Sequence, residues 1–196
     1  MRIAHAALAA AAVAWGCSLA PVEVEVHAAL IDQAPAKVAQ GTPRPATLLV
    51  LVPVTAAPYD TTRIAYATAP HEIAYYARVE WAQRPALMIQ PLLVQTMRAT
   101  RAFAAVEAPP YLDHYRYALH TEIRELRMDF DAGTPATHLV LHARLADQDS
   151  GRTLLDRDFA VAEPIAARTP AAGIAAANAA TARALAEVAG EVVGAL

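Results

Sequence analysis

The sequence predicts an α+β fold, a mainly antiparallel sheet with two helices packed on one face. Three observations lead there. Residues 115–161 hold three runs in which apolar and polar side chains alternate, joined by two turn-forming stretches, as strands with one buried face require. Residues 85–101 and 170–193 switch to helical spacing. A sheet with one apolar face must be covered, and two helices are the available cover. At 196 residues and 56% hydrophobic, the chain is long enough for one well-buried domain and short for two.

The start of the chain is a different kind of segment. Met1, Arg2 and His5 give a weakly basic beginning, residues 6–15 are apolar and uncharged, and Gly16 and Cys17 follow. Charge, apolar core and small residue describe a secretory signal peptide, here residues 1–16. Ten apolar residues fall well below the roughly 20 of a membrane-spanning helix. Cys17 is the single cysteine, so it has no internal disulfide partner, and its place directly after the signal core is the informative part. It resembles the lipobox of bacterial lipoproteins, in which the thiol is acylated. Trp15 and Ala14 differ from the usual small residue and Leu, so a plain secreted chain with a cysteine beside the cleavage site stays open. Ser18, in place of the Asp that retains such lipoproteins at the inner membrane, implies the outer membrane. Without residues 1–16, which include Arg2, 15 basic and 19 acidic residues leave a net charge of -4.

Residues 17–45 form the anchored N-terminal segment. Residues 21–27 alternate cleanly, as a short edge strand guarded by charge would, and three prolines and a glycine in residues 32–45 indicate an extended loop. The α+β domain then fills residues 46–196. Residues 46–52 are continuously apolar, as expected of a strand covered on both faces. Residues 61–67 and 71–76 read as a hairpin around Ala69 and Pro70. Tyr59, Tyr66, Tyr75, Tyr76 and Trp81, five of the twelve aromatics, gather there. Tyr66, Tyr75, Tyr76 and Trp81 are the candidate partner-binding residues, because Tyr and Trp join apolar area to a polar tip. Ordinary packing of the hairpin against the next helix is the competing account.

In the first helix Leu87, Met88, Leu92 and Met97 supply the apolar stripe, while Pro91 predicts a kink or a later start near Gln90. Residues 103–106 suit a short strand. Tyr115, Tyr117, Leu119 and Ile123 share one phase of the first long strand, and Leu126, Met128 and Phe130 continue one residue out of step. A β-bulge near Arg124 and Glu125 restores the phase. Leu139, Leu141, Ala143 and Leu145 mark the second strand, Leu155, Phe159 and Val161 the third, with turns at residues 131–135 and 147–151. The last helix buries Ile174, Thr181, Leu185, Val188 and Val192, and Pro170 suits its first turn. Asn178, Arg183, Glu187 and Glu191 form its weakly polar outer face. A homo-oligomer contact fits that face, and a solvated helix is the simpler reading.

Chemistry is sparse. His138 and His142 lie about 13 Å apart along a strand, too far to ligate one zinc ion together. Asp147, Asp149 and Gly151 are similar to a calcium loop, but Gly comes a position early and Asp158 stands where a bidentate Glu is needed. G-x-S-x-G, glycine-rich phosphate-loop and H-E-x-x-H patterns are absent. Asp129, Asp131, Asp156 and Asp158 are explained by strand ends and exposed faces. The residues therefore argue against an enzyme and supply no catalytic, metal or cofactor site. A net charge of -3, a pI near 6.1 and the lack of a basic tract argue against nucleic acid as a partner.

Taken in order, Cys17, the strand ending near Pro53, Arg63-Ile64-Ala65-Tyr66, Trp81 with Pro85, Phe103 and Val106, Tyr117-Ala118-Leu119 and the Ala-rich last helix resemble the ABC-type transport auxiliary lipoprotein family, the PqiC-like proteins. The resemblance implies an outer-membrane lipoprotein facing the periplasm, held by acylated Cys17. It also implies partners: an MCE-domain protein and, with it, an inner-membrane ABC permease. The role implied is binding and bridging in lipid transport. A periplasmic lipid carrier with its own apolar pocket between sheet and helices, or an assembly lipoprotein of another envelope complex, are the alternatives.

Overall fold

The computed structural model describes residues 25–196 apart from residues 112 and 132; Cys17 and the signal peptide lie outside them. The described residues form nine strands, two α-helices and one 3-10 turn at Ala57–Tyr59. In chain order the strands and α-helices are β1 (His27–Ala29), β2 (Arg44–Val50), β3 (Val54–Thr55), β4 (Arg63–Ala67), β5 (Ala74–Trp81), α1 (Pro85–Ala99), β6 (Phe103–Glu107), β7 (Tyr117–Asp129), β8 (Ala136–Asp147), β9 (Arg152–Pro164) and α2 (Pro170–Ala195).

The long strand β7 joins all of it. One edge of β7 pairs antiparallel with β8, and β8 with β9, which gives the expected meander. The other edge is shared by three strands in succession. Leu48 of β2 lies beside Tyr117, Val54 of β3 beside Glu122, and Tyr66 of β4 beside Met128, each in parallel. From β2 the sheet continues to β6, and from β4 to β5 and then β1.

The fold is α+β, but the sheet is mixed, which corrects the expectation of mainly antiparallel pairing. Besides the meander only β4 and β5 pair antiparallel, and β1–β5 and β2–β6 join the parallel set. Alternation tells a strand which side to bury and says nothing of its neighbour's direction. Strands β2, β3 and β4 reach β7 across long connections that include α1, and such crossovers produce parallel neighbours.

The phase slip in β7 is a bulge. Ile123 pairs with Leu141 and Glu125 with Val140, leaving Arg124 as the inserted residue. Leu126 and Met128 thereby return to the buried side occupied by Leu119 and Ile123. A second irregularity at Leu154 lets Leu155 face Leu145. Leu139, Leu141, Ala143 and Leu145 are fully buried.

Both helices enter the same core as these strands. In α1 the stripe consists of Met88, Ile89, Leu92, Leu93 and Met97. Leu87 does not belong to it. At 50% exposure it lies one residue off the stripe and faces outward. Pro91 sits on that same exposed side inside a continuous helix, so the carbonyl deprived of its amide partner is that of Leu87. Helix α2 starts at Thr169, whose hydroxyl accepts from the Ala172 amide at 3.3 Å. It buries Thr181, Leu185, Val188 and Val192 as the spacing predicts, with Ile174 only half-buried.

Candidate functional site

The described residues leave one corner of the sheet weakly covered, where the short edge strand β1 lies beside β5 and the first turns of α2. A groove of about 690 Å³ opens there, lined by His27, Ala29, Tyr76, Arg78, Pro170 and Ile174 among others. Its walls are set by local chemistry. β1 is a three-residue strand with only β5 as partner, so its outer edge is free. The floor is low because its side chains are small. Gly173 brings α2 close to β7: a Cβ there would lie 2.2 Å from the Met128 sulfur. The Thr137 hydroxyl donates to the Gly173 carbonyl at 3.2 Å and holds the helix in that place.

Asn178 fastens the strand on the other side. Its side-chain oxygen accepts from the Asp32 and Gln33 amides at 2.9 and 3.1 Å, and its amide donates to the Leu30 carbonyl at 2.9 Å. Ile31 inserts into the core beside this clamp. Asn178 is therefore not part of a solvated outer face, a correction to the reading of α2: the segment after β1 folds back across the helix. Arg183 likewise reaches the Ala162 carbonyl and Glu163, and Glu191 pairs with Arg157.

The candidate partner-binding aromatics separate into three settings. Trp81 is 3% exposed and belongs to the core. Tyr66 and Tyr76 stack with centroids 4.6 Å apart, half-buried, and Tyr76 forms part of the groove wall. Burial pushes the Tyr76 phenol up, with Tyr66 adding to the effect. Tyr75 stands apart from this stack, donating from its hydroxyl to the Pro58 carbonyl at 2.9 Å while the Arg63 guanidinium lies 4.1 Å from its ring centre. Burial also raises the pKa of nearby Tyr59, with Glu125 contributing. Cys17 falls outside the described residues; ten positions separate it from His27.

The polar face of the meander is internally paired. Arg124 contacts Glu122 at 3.1 Å and Asp158 at 2.5 Å, and His142 lies between Asp158 at 2.8 Å and Asp156 at 3.2 Å. The His142 hydrogen bond and Arg124 hold the Asp158 carboxyl below the ordinary carboxylate range. Burial, with Arg144 nearby, lowers the His120 imidazole. At the β8–β9 turn one Asp147 oxygen accepts from the Asp149 and Ser150 amides at 3.0 and 3.4 Å, and the other faces Arg116 at 3.1 Å. Arg116, followed by these amides, lowers its pKa. The calcium-like spacing is thus used to close a turn, with Gly151 at φ +69°. Among the described residues no three His, Cys, Asp or Glu side chains cluster as a metal site would require.

Sequence reasoning did not single out Arg78 or Thr169, and it named Asn178 only as part of an outer face. The available signal was Asn178 itself, an amide in an otherwise Ala-rich helix. The groove residues come from three distant stretches and carry no motif.

The described residues thus form an α+β domain with an apolar corner groove and a fastened edge strand. The chain belongs to the ABC-type transport auxiliary lipoprotein component family, whose sequence profile matches residues 29–189. Among solved structures it is similar to protein XCC0632 from Xanthomonas campestris, of family DUF330, at 25% identity and a TM-score of 0.75, covering 87% of this chain and 95% of that one. A crystal structure of an uncharacterized protein aligns at 14% identity and a TM-score of 0.64, covering 81% and 97% of the two chains. The hypothetical protein CT253 from Chlamydia trachomatis shares the fold at 9% identity and a TM-score of 0.53, covering 77% and 97%. No curated protein matches the chain.

Proposed function

We propose that this protein is a non-enzymatic adaptor of an MCE-type lipid transport system, held at the periplasmic face of the outer membrane by acylated Cys17. Its docking partner is an MCE-domain protein, and through it an inner-membrane ABC permease. The observation that carries this reading is the family match, which extends from β1 into the last turns of α2. The family is one of auxiliary transport components, and the absence of catalytic motifs in the sequence agrees with a binding role. Tyr66, Tyr75 and Tyr76 lie in the hairpin that carries β1 through β5, and the opposite edge of β1 is free for a partner strand or loop to be added. Trp81 serves that surface from beneath, as its packing support.

Two measurements test the two halves of the proposal. Metabolic labelling with a fatty acid should mark the wild-type chain and leave Cys17→Ala unmarked; label persisting in the variant removes the anchor. Pull-down from cross-linked envelopes should recover an MCE-domain protein. Recovery of another envelope machine in its place would reassign the adaptor.

A further inference from the structure

The corner groove combines three features that together define a ligand class. It is about 690 Å³ in volume, within the roughly 300–1,000 Å³ of sites that hold small molecules. Its surface is built from aliphatic and small side chains such as Ala29, Ala77, Val79, Pro170 and Ile174. Arg78 is the charged residue of the lining, and no carboxylate is in it. Among the described residues Arg78 makes no ion pair or side-chain hydrogen bond, unlike the paired arginines of the meander face. An apolar slot with a cation at its lip suits an amphiphile with an anionic head, since the slot takes methylenes and the guanidinium donates to phosphate oxygens.

Position narrows the source. A stretch of ten residues spans at most about 33–36 Å, so a bilayer holding Cys17 keeps β1 within that distance of its surface. We propose that the groove between β1, β5 and the start of α2 seats one acyl chain of an anionic phospholipid, with its phosphate beside Arg78. This names the cargo class for the adaptor and rests on that reading for its biological meaning, while its test needs no transport partner.

The test uses the purified full chain with phosphatidylcholine vesicles containing a phosphatidylglycerol that carries a diazirine on one acyl chain. After irradiation, mass spectrometry should place the label on residues 76–79 and 169–174. Ala77→Trp and Ala171→Trp fill the slot from opposite walls at exposed positions, so at least one should fold normally by circular dichroism. Each should lower that label by about tenfold, the consequence of excluding about two methylenes from the slot. Arg78→Glu should bring phosphatidylglycerol labelling down to the level of a phosphatidylcholine probe. Label spread evenly over the chain, or unchanged by a folded slot-filling variant, overturns the proposal. So does a slot-filling variant that changes oligomeric size without changing the label, which would assign the groove to a second copy. Loss of MCE recovery in the envelope pull-down, with lipid labelling intact, would instead count against the adaptor reading alone.

Discussion

The meander of β7, β8 and β9 and the corner formed by β1, β4 and β5 use the same sheet to opposite ends. In the meander, 12- and 13-residue strands bury the apolar residues of one side, and exposed charges on the other are matched across the strands. At the corner, β1 and β4 have three and five residues, the edge is unpaired, and a cation stands without a counterion among the described residues. The contrast shows where a sheet can leave surface unfinished. Stability comes from the long ladders, so the corner can keep an apolar slot at little risk to the fold.

The sharpest way to break the comparison is to remove core volume from the meander. Leu141→Ala, at a fully buried position, should cost about 2–5 kcal/mol, whereas Ile73→Ala beside the corner, 41% exposed, should stay within about 0.5 kcal/mol. Urea unfolding of both variants measures the difference. Overpacking comes next. In Gly41→Ala the added methyl would meet the Ala102 Cβ at 2.5 Å and its Cα at 3.1 Å, atoms that no rotamer change can move, so a loss of about 1–3 kcal/mol is expected in the same assay. Asn178→Ala should act more locally. It leaves the Asp32 and Gln33 amides and the Leu30 carbonyl without their partner, at a cost of about 1–3 kcal/mol. Amide exchange should accelerate at Asp32 and Gln33 and remain slow in β8.

Acid provides the smallest effect and separates the two regions by charge. Asp147 and Asp158 both titrate below their ordinary value of 3.8 in the folded chain. Their contribution is complete at neutral pH, declines as the pH drops below that unfolded value, and is gone beneath the folded ones. Carboxyl NMR titration should show Arg116→Ala returning Asp147 toward the ordinary range, only partly, because the Asp149 and Ser150 amides still hold it.

The meander was legible in the sequence because each of its devices leaves a local mark. The apolar phase slips by one at Arg124 where the bulge occurs, and Gly151 supplies a positive φ where the turn needs it. The parallel edge left no such mark. Strand β3 has two residues, and the apolar run of β2 reports coverage on both faces without direction. The candidate site was half legible: the aromatic cluster drew attention to the hairpin that forms one wall. The other walls are largely alanines with Thr169, Pro170 and Ile174, and alanines shape a groove by being small and therefore look like filler in a linear pattern. Leu87 shows the same limit in α1, where apolar character alone did not decide which face it occupied.

The shared edge of β7 also sets a condition on assembly. Leu48, Val54 and Tyr66 find their partners at Tyr117, Glu122 and Met128, each more than sixty residues onward. Until that later strand has emerged during synthesis, β3 has no strand partner, and the β2–β6 and β4–β5 pairs have no common edge on which to join. The meander, whose neighbours are joined by tight turns, is able to close first and serve as the template. Attachment of the corner to the rest of the sheet then waits on β7, because β4 is the strand that joins it there.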